Sequence, residues 1–180
     1  MPEHFSHHLI YGTLSDYLTG EELTDTDDER LRQGIYQMMV EEKGYQKEEL
    51  IARATIDTLF TRCFVRSSID LTVRLGNLSF MIIRYGPGSL VSRERAAVAA
   101  ARVLHPEYRI PLAVVTNGRE AELLDTATGK ILGNGLSSIP DRKAAAILLP
   151  SLMFLPKQEA CKLEREKRIL NAFDVERCCL

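Results

Sequence analysis

The chain has 180 residues, 45% of them hydrophobic and 27% charged, a balance that suits one globular domain with a sizeable core and terminal additions. A formal net charge of -2 excludes the global basic field that drives indiscriminate nucleic-acid binding, so any such contact has to come from a local patch. No stretch approaches the ~20 apolar residues of a membrane-spanning helix, the four cysteines (Cys63, Cys161, Cys178, Cys179) lack CxxC spacing, and the chain opens without a secretory pattern, so a reduced, cytoplasmic protein with no membrane association is expected.

In chain order, His4, His7 and His8 fall in a polar lead segment with no second ligand pair at zinc-finger or zincin spacing, which favours a tail over a metal site. Residues 9–23 read as a semi-ordered arm with turns at Gly12 and Gly20. The acidic run Asp25–Glu29 suits the positive end of a helix, whose stripe of Leu31, Ile35, Met38 and Met39 runs to about Lys43, with Gly44 as its terminator. From Glu48 to Val65 a longer helix and a helical turn followed by a strand fit about equally. The β-branched Thr55, Ile56, Thr58 and Thr61 favour a strand in the second half.

Ser68 to Gly86 reads as a β-hairpin. Ile69, Leu71, Val73 and Leu75 alternate with Ser68, Asp70, Thr72 and Arg74, Gly76-Asn77 makes the turn, and Leu78 to Ile83 forms the second strand. Alternation puts Asp70 on the polar face with Thr72 and Arg74. An aspartate in mid-strand is unusual, and it is either a solvated edge-strand acid or a functional group. Beyond the hairpin, Leu90–Leu104 has helical spacing with Ser89 or Ser92 as N-cap, Ile110–Val115 is an apolar interior strand, and Glu120–Asp125 with Ile131-Leu132 forms a second hairpin-like unit. A helix from Ser138, with Pro140 at its first position, runs to about Leu149, and a charged helix spans roughly Lys157 to Phe173. This order indicates an α/β (α+β) sandwich around a mixed central sheet, with arm 1–24, core 25–135 and C-terminal helices 136–180 on the same domain.

The segments Asp28–Gln33, Glu41–Tyr45, Ile69–Val73 and Ala113–Gly118 together resemble the N-terminal domain of type I restriction enzyme R subunits, within the PD-(D/E)xK nuclease superfamily, over roughly Asp25 to Gly135. The resemblance implies a restriction-endonuclease-like mixed sheet flanked by helices. It also implies a strand aspartate and a glutamate on the next strand that hold Mg²⁺, with a lysine two residues later that orients the attacking water. Carboxylate oxygens suit Mg²⁺, which neutralises the phosphate and acidifies a bound water.

Asp70 takes the family's aspartate position, but Arg84 stands where the glutamate would be and Gly86 where the lysine would be. An arginine there opposes a cation and is expected to pair with Asp70 across the hairpin. Glu94, on the following helix, is a catalytic candidate only if the second acid has migrated. The metal reading then rests on Asp70; otherwise no cofactor is expected. The glycine-rich Gly86-Pro87-Gly88 loop leads into a helix N-terminus, and with Arg84, Ser89, Ser92, Arg93 and Arg95 it is a candidate phosphate contact, against the simpler reading of a turn and cap. The expected protein is a degraded nuclease-fold module that binds DNA or a protein partner, including a second copy of itself. The alternative is a metal-dependent endonuclease with an atypical site.

Overall fold

The computed structural model describes residues 10–60, 63–173 and 177–179; His4, His7 and His8 lie outside them. The expected semi-ordered arm is a two-stranded antiparallel hairpin, β1 (Ile10–Ser15) and β2 (Glu22–Thr26). β2 leads directly into α1 (Asp27–Gln37), where the Thr26 hydroxyl accepts the Glu29 N–H at 3.2 Å and three acids occupy the first turn. The helix continues as a π-helical turn (Met38–Glu42) and ends at Gly44, whose φ of +74° is the left-handed geometry of a helix terminator.

The ambiguous stretch resolves as a single 3₁₀ turn (Lys47–Glu49) followed by β3 (Leu50–Phe60), because this segment pairs along its length with β4 (Cys63–Leu75), with a break in the register at Arg53. Next come β5 (Leu78–Tyr85), α2 (Glu94–Leu104), β6 (Leu112–Thr116), β7 (Ala121–Asp125), β8 (Ile131–Asn134), α3 (Arg142–Leu148), α4 (Ala160–Phe173) and β9 (Arg177–Cys179). The sheet order is β3-β4-β5-β6-β7-β8, parallel only between β5 and β6, where α2 makes the crossover, while β9 pairs with the start of β4. This is the expected mixed sheet flanked by helices.

Both faces of the sheet are covered. One core cluster packs Leu71, Val73, Ile83 and Tyr85 under Ile35, Tyr36 and Met39 of α1. The other packs Ile69, Ile82, Ala113 and Val115 under α2 and Leu170 of α4. Five buried alanines of α2 let its backbone lie close to the sheet. The predicted solvated polar face of β4 is therefore absent at its centre, where Asp70 and Thr72 are 7% and 3% exposed.

Two predicted caps also differ. The α2 N-cap is Arg93, with no side-chain cap, because the Ser92 hydroxyl donates to the Ser89 carbonyl instead. Asp141, rather than Ser138, caps α3 by accepting the Ala144 N–H at 2.7 Å, which leaves Pro140 outside the helix. The last helix begins at Ala160, three residues later than expected. Lys157 instead turns its ammonium onto the Val103 and His105 carbonyls at the end of α2.

Candidate functional site

Asp70 sits where the β4–β5 ladder ends. Backbone pairing runs from Leu75–Leu78 to Leu71–Ile83, and the Tyr85 N–H beyond it donates to Asp70 Oδ2 at 2.7 Å. Asp70 Oδ1 accepts Arg32 Nε at 2.7 Å, and the Tyr36 hydroxyl donates to the Asp70 carbonyl at 2.8 Å. The aspartate thus faces α1, on the same side as Leu71.

Four more groups extend this contact into a chain of alternating charge. Arg32 Nη1 lies 3.4 Å from Glu29 Oε2, and Glu29 Oε1 accepts both Arg53 Nη2 at 2.6 Å and Gln33 Nε2 at 2.8 Å. Arg53 Nη1 reaches Asp16 Oδ2 at 2.5 Å, and Gln33 Nε2 donates to the same oxygen at 3.1 Å. Asp16, Glu29, Gln33 and Asp70 are all buried. Arg53 delivers its guanidinium from a strained position, since its φ of +53° within β3 is one that non-glycine residues adopt at a cost of order 1 kcal/mol or more.

The electrostatics follow from the partners. Burial alone would raise the Asp16 pKa, but the Thr19 amide, Arg53, Gln33 and the Leu18 amide outweigh it and hold the carboxyl at about 2. Burial likewise opposes the charge of Arg32, yet Asp70, Glu29 and Asp28 raise its pKa further. Burial drives the Tyr36 phenol above its usual range. It also pushes Tyr85 up to about 12, helped by the 2.8 Å bond from its hydroxyl to Asp28 Oδ1.

The other residues singled out from the sequence lie elsewhere. Ile83 and Tyr85 belong to the α1-side core, whereas Ile82 and Val115, the latter opposite Arg84, belong to the α2 side. Strand alternation therefore sends Arg84 to the α2 face, and the ion pair that the sequence suggested for Arg84 is made to Asp70 by Arg32 instead. The β5 residues in the core cluster on Asp70's side, Phe80, Met81, Ile83 and Tyr85, offer neither a carboxylate nor an amine.

Glu94 also lies on the α2 side, near enough to Glu122 to act on its carboxylate. Burial first, then Glu94 and Glu120, raise the Glu122 pKa. Gly86 closes the strand by donating its N–H to the Thr116 carbonyl at 3.0 Å, and a Cβ there would lie 2.0 Å from Arg93 Nη1. Arg93, half-buried, donates to the Pro87 carbonyl at 2.9 Å, while Ser89, Ser92 and Arg95 are exposed.

A Mg²⁺ ion of the kind the nuclease superfamily implies does not fit this donor set. Both Asp70 oxygens already accept hydrogen bonds, a guanidinium stands against one of them, and no cluster of three acidic, histidine or cysteine side chains suited to a metal occurs among the described residues.

The sequence pointed to Asp70 but not to Asp16, Glu29, Arg32, Gln33 or Arg53. A trace was present in the Glu29–Arg32 spacing, which puts an acid and a base on one helical face. Nothing in the pattern marked Arg53, whose role depends on its backbone angle.

A mixed sheet crossed over by α2, with an aspartate in the middle of β4 beside a helix that brings a carboxylate, is the frame of a nuclease-related module. The family model described as type I restriction enzyme R protein N terminus (HSDR_N) matches residues 27–140, and the chain belongs to that family. No curated protein and no solved structure matches it. No helix among the described residues is long and apolar enough to cross a membrane.

Proposed function

We propose that this chain is a catalytically inert nuclease-fold module that binds nucleic acid through the loop and first turn of α2. The observation that carries the first half is the engagement of both Asp70 oxygens, Oδ1 by Arg32 and Oδ2 by the Tyr85 amide. A cation entering there would have to displace Arg32 from the buried Asp70 carboxylate. Arginine, always protonated, anchors an anion but does not activate water.

The second half rests on α2. Its N-terminus has no side-chain cap, which leaves its first-turn amides without a side-chain acceptor beside the exposed Arg95, Ser89 and Ser92. Amides, helix dipole and guanidinium together suit a phosphate oxygen. Arg93 contributes positive charge while it braces the loop. A protein partner that carries an anionic group would use the same donors.

The test has two arms. Plasmid DNA incubated with the protein and Mg²⁺ or Mn²⁺ is expected to remain unnicked; metal-dependent nicking that Asp70→Ala abolishes would replace this reading with that of an active endonuclease. Retention of DNA at low salt is expected, with affinity and salt slope both reduced in Arg93→Glu/Arg95→Glu. Absence of DNA retention at low salt would remove the nucleic-acid half.

A further inference from the structure

Hairpin β1–β2 meets the rest of the molecule in an unusual way. Its strands are largely exposed, with Ile10 and Tyr11 at 70% and 49%, and its apolar anchorage is confined to the turn, where Tyr17 and Leu18 pack partly buried against the α1-side core. Its turn, however, carries the Asp16 carboxylate at 2% exposure, inserted between α1 and β3. Asp16 Oδ1 orders the turn by accepting the Leu18 and Thr19 amides at 2.8 Å each, and Oδ2 accepts Arg53 and Gln33.

The contacts around Asp16 are also polar. The Tyr17 amide donates to Gln33 Oε1 at 2.7 Å, Lys47 Nζ donates to the Tyr17 carbonyl at 2.5 Å, and the Tyr17 hydroxyl donates to Glu41 at 3.1 Å. Gln33 and Arg53, the two groups that grip Asp16, both grip Glu29, and Glu29 lies against the Arg32 that occupies Asp70.

We propose that β1–β2 is a detachable strap whose most deeply buried carboxylate, Asp16, couples the docking of the hairpin to the ion pair on Asp70. With Asp16 in place, Arg53 is held in its strained left-handed conformation and shares its two amino groups between Asp16 and Glu29. Without it, Arg53 relaxes toward ordinary strand geometry and pulls away from Glu29. Glu29 then draws Arg32 toward itself, and the Arg32–Asp70 contact weakens. The strap is therefore the low-stability unit of the fold, and its release reaches Asp70 through Arg53, Glu29 and Arg32. This holds whether or not the module binds nucleic acid.

Amide hydrogen exchange by NMR on the full chain tests the idea, with two reporters: the amides of residues 10–26, and the Tyr85 amide together with Arg32 Nε–H, which both end on Asp70. In Asp16→Asn, exchange at residues 10–26 is expected to rise at least tenfold, with faster exchange or displaced resonances at both Asp70 reporters. Asp57→Asn, which breaks the exposed Asp57–Arg66 pair, should change neither set. Arg53→Lys, which keeps the charge but loses the two-pronged contact, should reproduce the Asp16→Asn pattern in weaker form and guards against a folding defect peculiar to position 16. Unchanged exchange over residues 10–26 in Asp16→Asn overturns the strap. Faster exchange there with both Asp70 reporters unmoved overturns the coupling.

Discussion

On the α1 side of the sheet, three buried or nearly buried carboxylates, Asp16, Glu29 and Asp70, are interleaved with two guanidinium groups. On the α2 side, the Glu122 carboxylate meets the carboxylate of Glu94. Hydrogen bonds, Arg53's among them, hold the Asp16 carboxyl low on the first side, whereas burial and like charge raise that of Glu122 on the second. In the proposed reading, Arg32 supplies beside Asp70 the positive charge that a metal would bring. The two faces should therefore respond differently to mutation and to pH.

The largest effect is expected from Arg32→Ala, which leaves Asp70 buried with one orphaned oxygen. Chemical denaturation should show a loss of about 3 kcal/mol or more, and a loss below 1 kcal/mol would mean that the ion pair does not organise the site. Arg53→Ala comes next, at about 2 kcal/mol at pH 7, since Asp16 and Glu29 lose a shared partner while some backbone strain is relieved.

That second loss should depend on acid. The folded Asp16 pKa of about 2 lies below the ordinary 3.8, so the bonds to Asp16 stabilise the fold fully above pH 3.8 and lose that contribution as the pH falls toward 2. The difference between wild type and Arg53→Ala in melting experiments should narrow over that range.

Gly86→Ala probes the α2 side. The added methyl displaces the Arg93 side chain from the loop at a cost of about 1 kcal/mol, since the clash is with the far end of a flexible side chain rather than with backbone. Glu122→Gln should have the smallest effect and the opposite sign. The Glu122 pKa is raised from 4.5, so the folded state holds a proton that the unfolded chain releases, and stability declines as pH rises from about 4.5 through the folded value. Glutamine removes that penalty. The melting temperature should rise slightly at pH 8 and match wild type at pH 4; equal shifts at both would dismiss the carboxylate pair.

Most elements could be read because each carries a local signal: the acidic run that opens α1, the Gly76-Asn77 turn, and the alternation or apolar runs of β4, β5 and β6. The helix starts were harder, since Ser92 spends its hydroxyl on a nearby carbonyl rather than on an amide. Two features of the site escaped for tertiary reasons. Alternation predicts an outward Asp70 only where a ladder stays regular and one face stays wet, and here the β4–β5 pairing ends at Leu71 and both faces are covered. The partners of Asp70 come from the rotation of α1 and from one left-handed residue in β3, neither of which leaves a periodic trace. The same alternation, applied from Ile83, separates Arg84 from Asp70.

Occupied by Arg32, Asp70 should be closed to a divalent cation. Paramagnetic line broadening in an NMR titration with Mn²⁺ tests it at the residue concerned, with the Tyr85 amide, bonded to Asp70 Oδ2, as the reporter. The Tyr85 cross-peak should keep its intensity at stoichiometric Mn²⁺. Selective loss of the Tyr85 signal, with neighbouring Glu29 and Arg32 amides following and Asp70→Asn restoring all three, would contradict it.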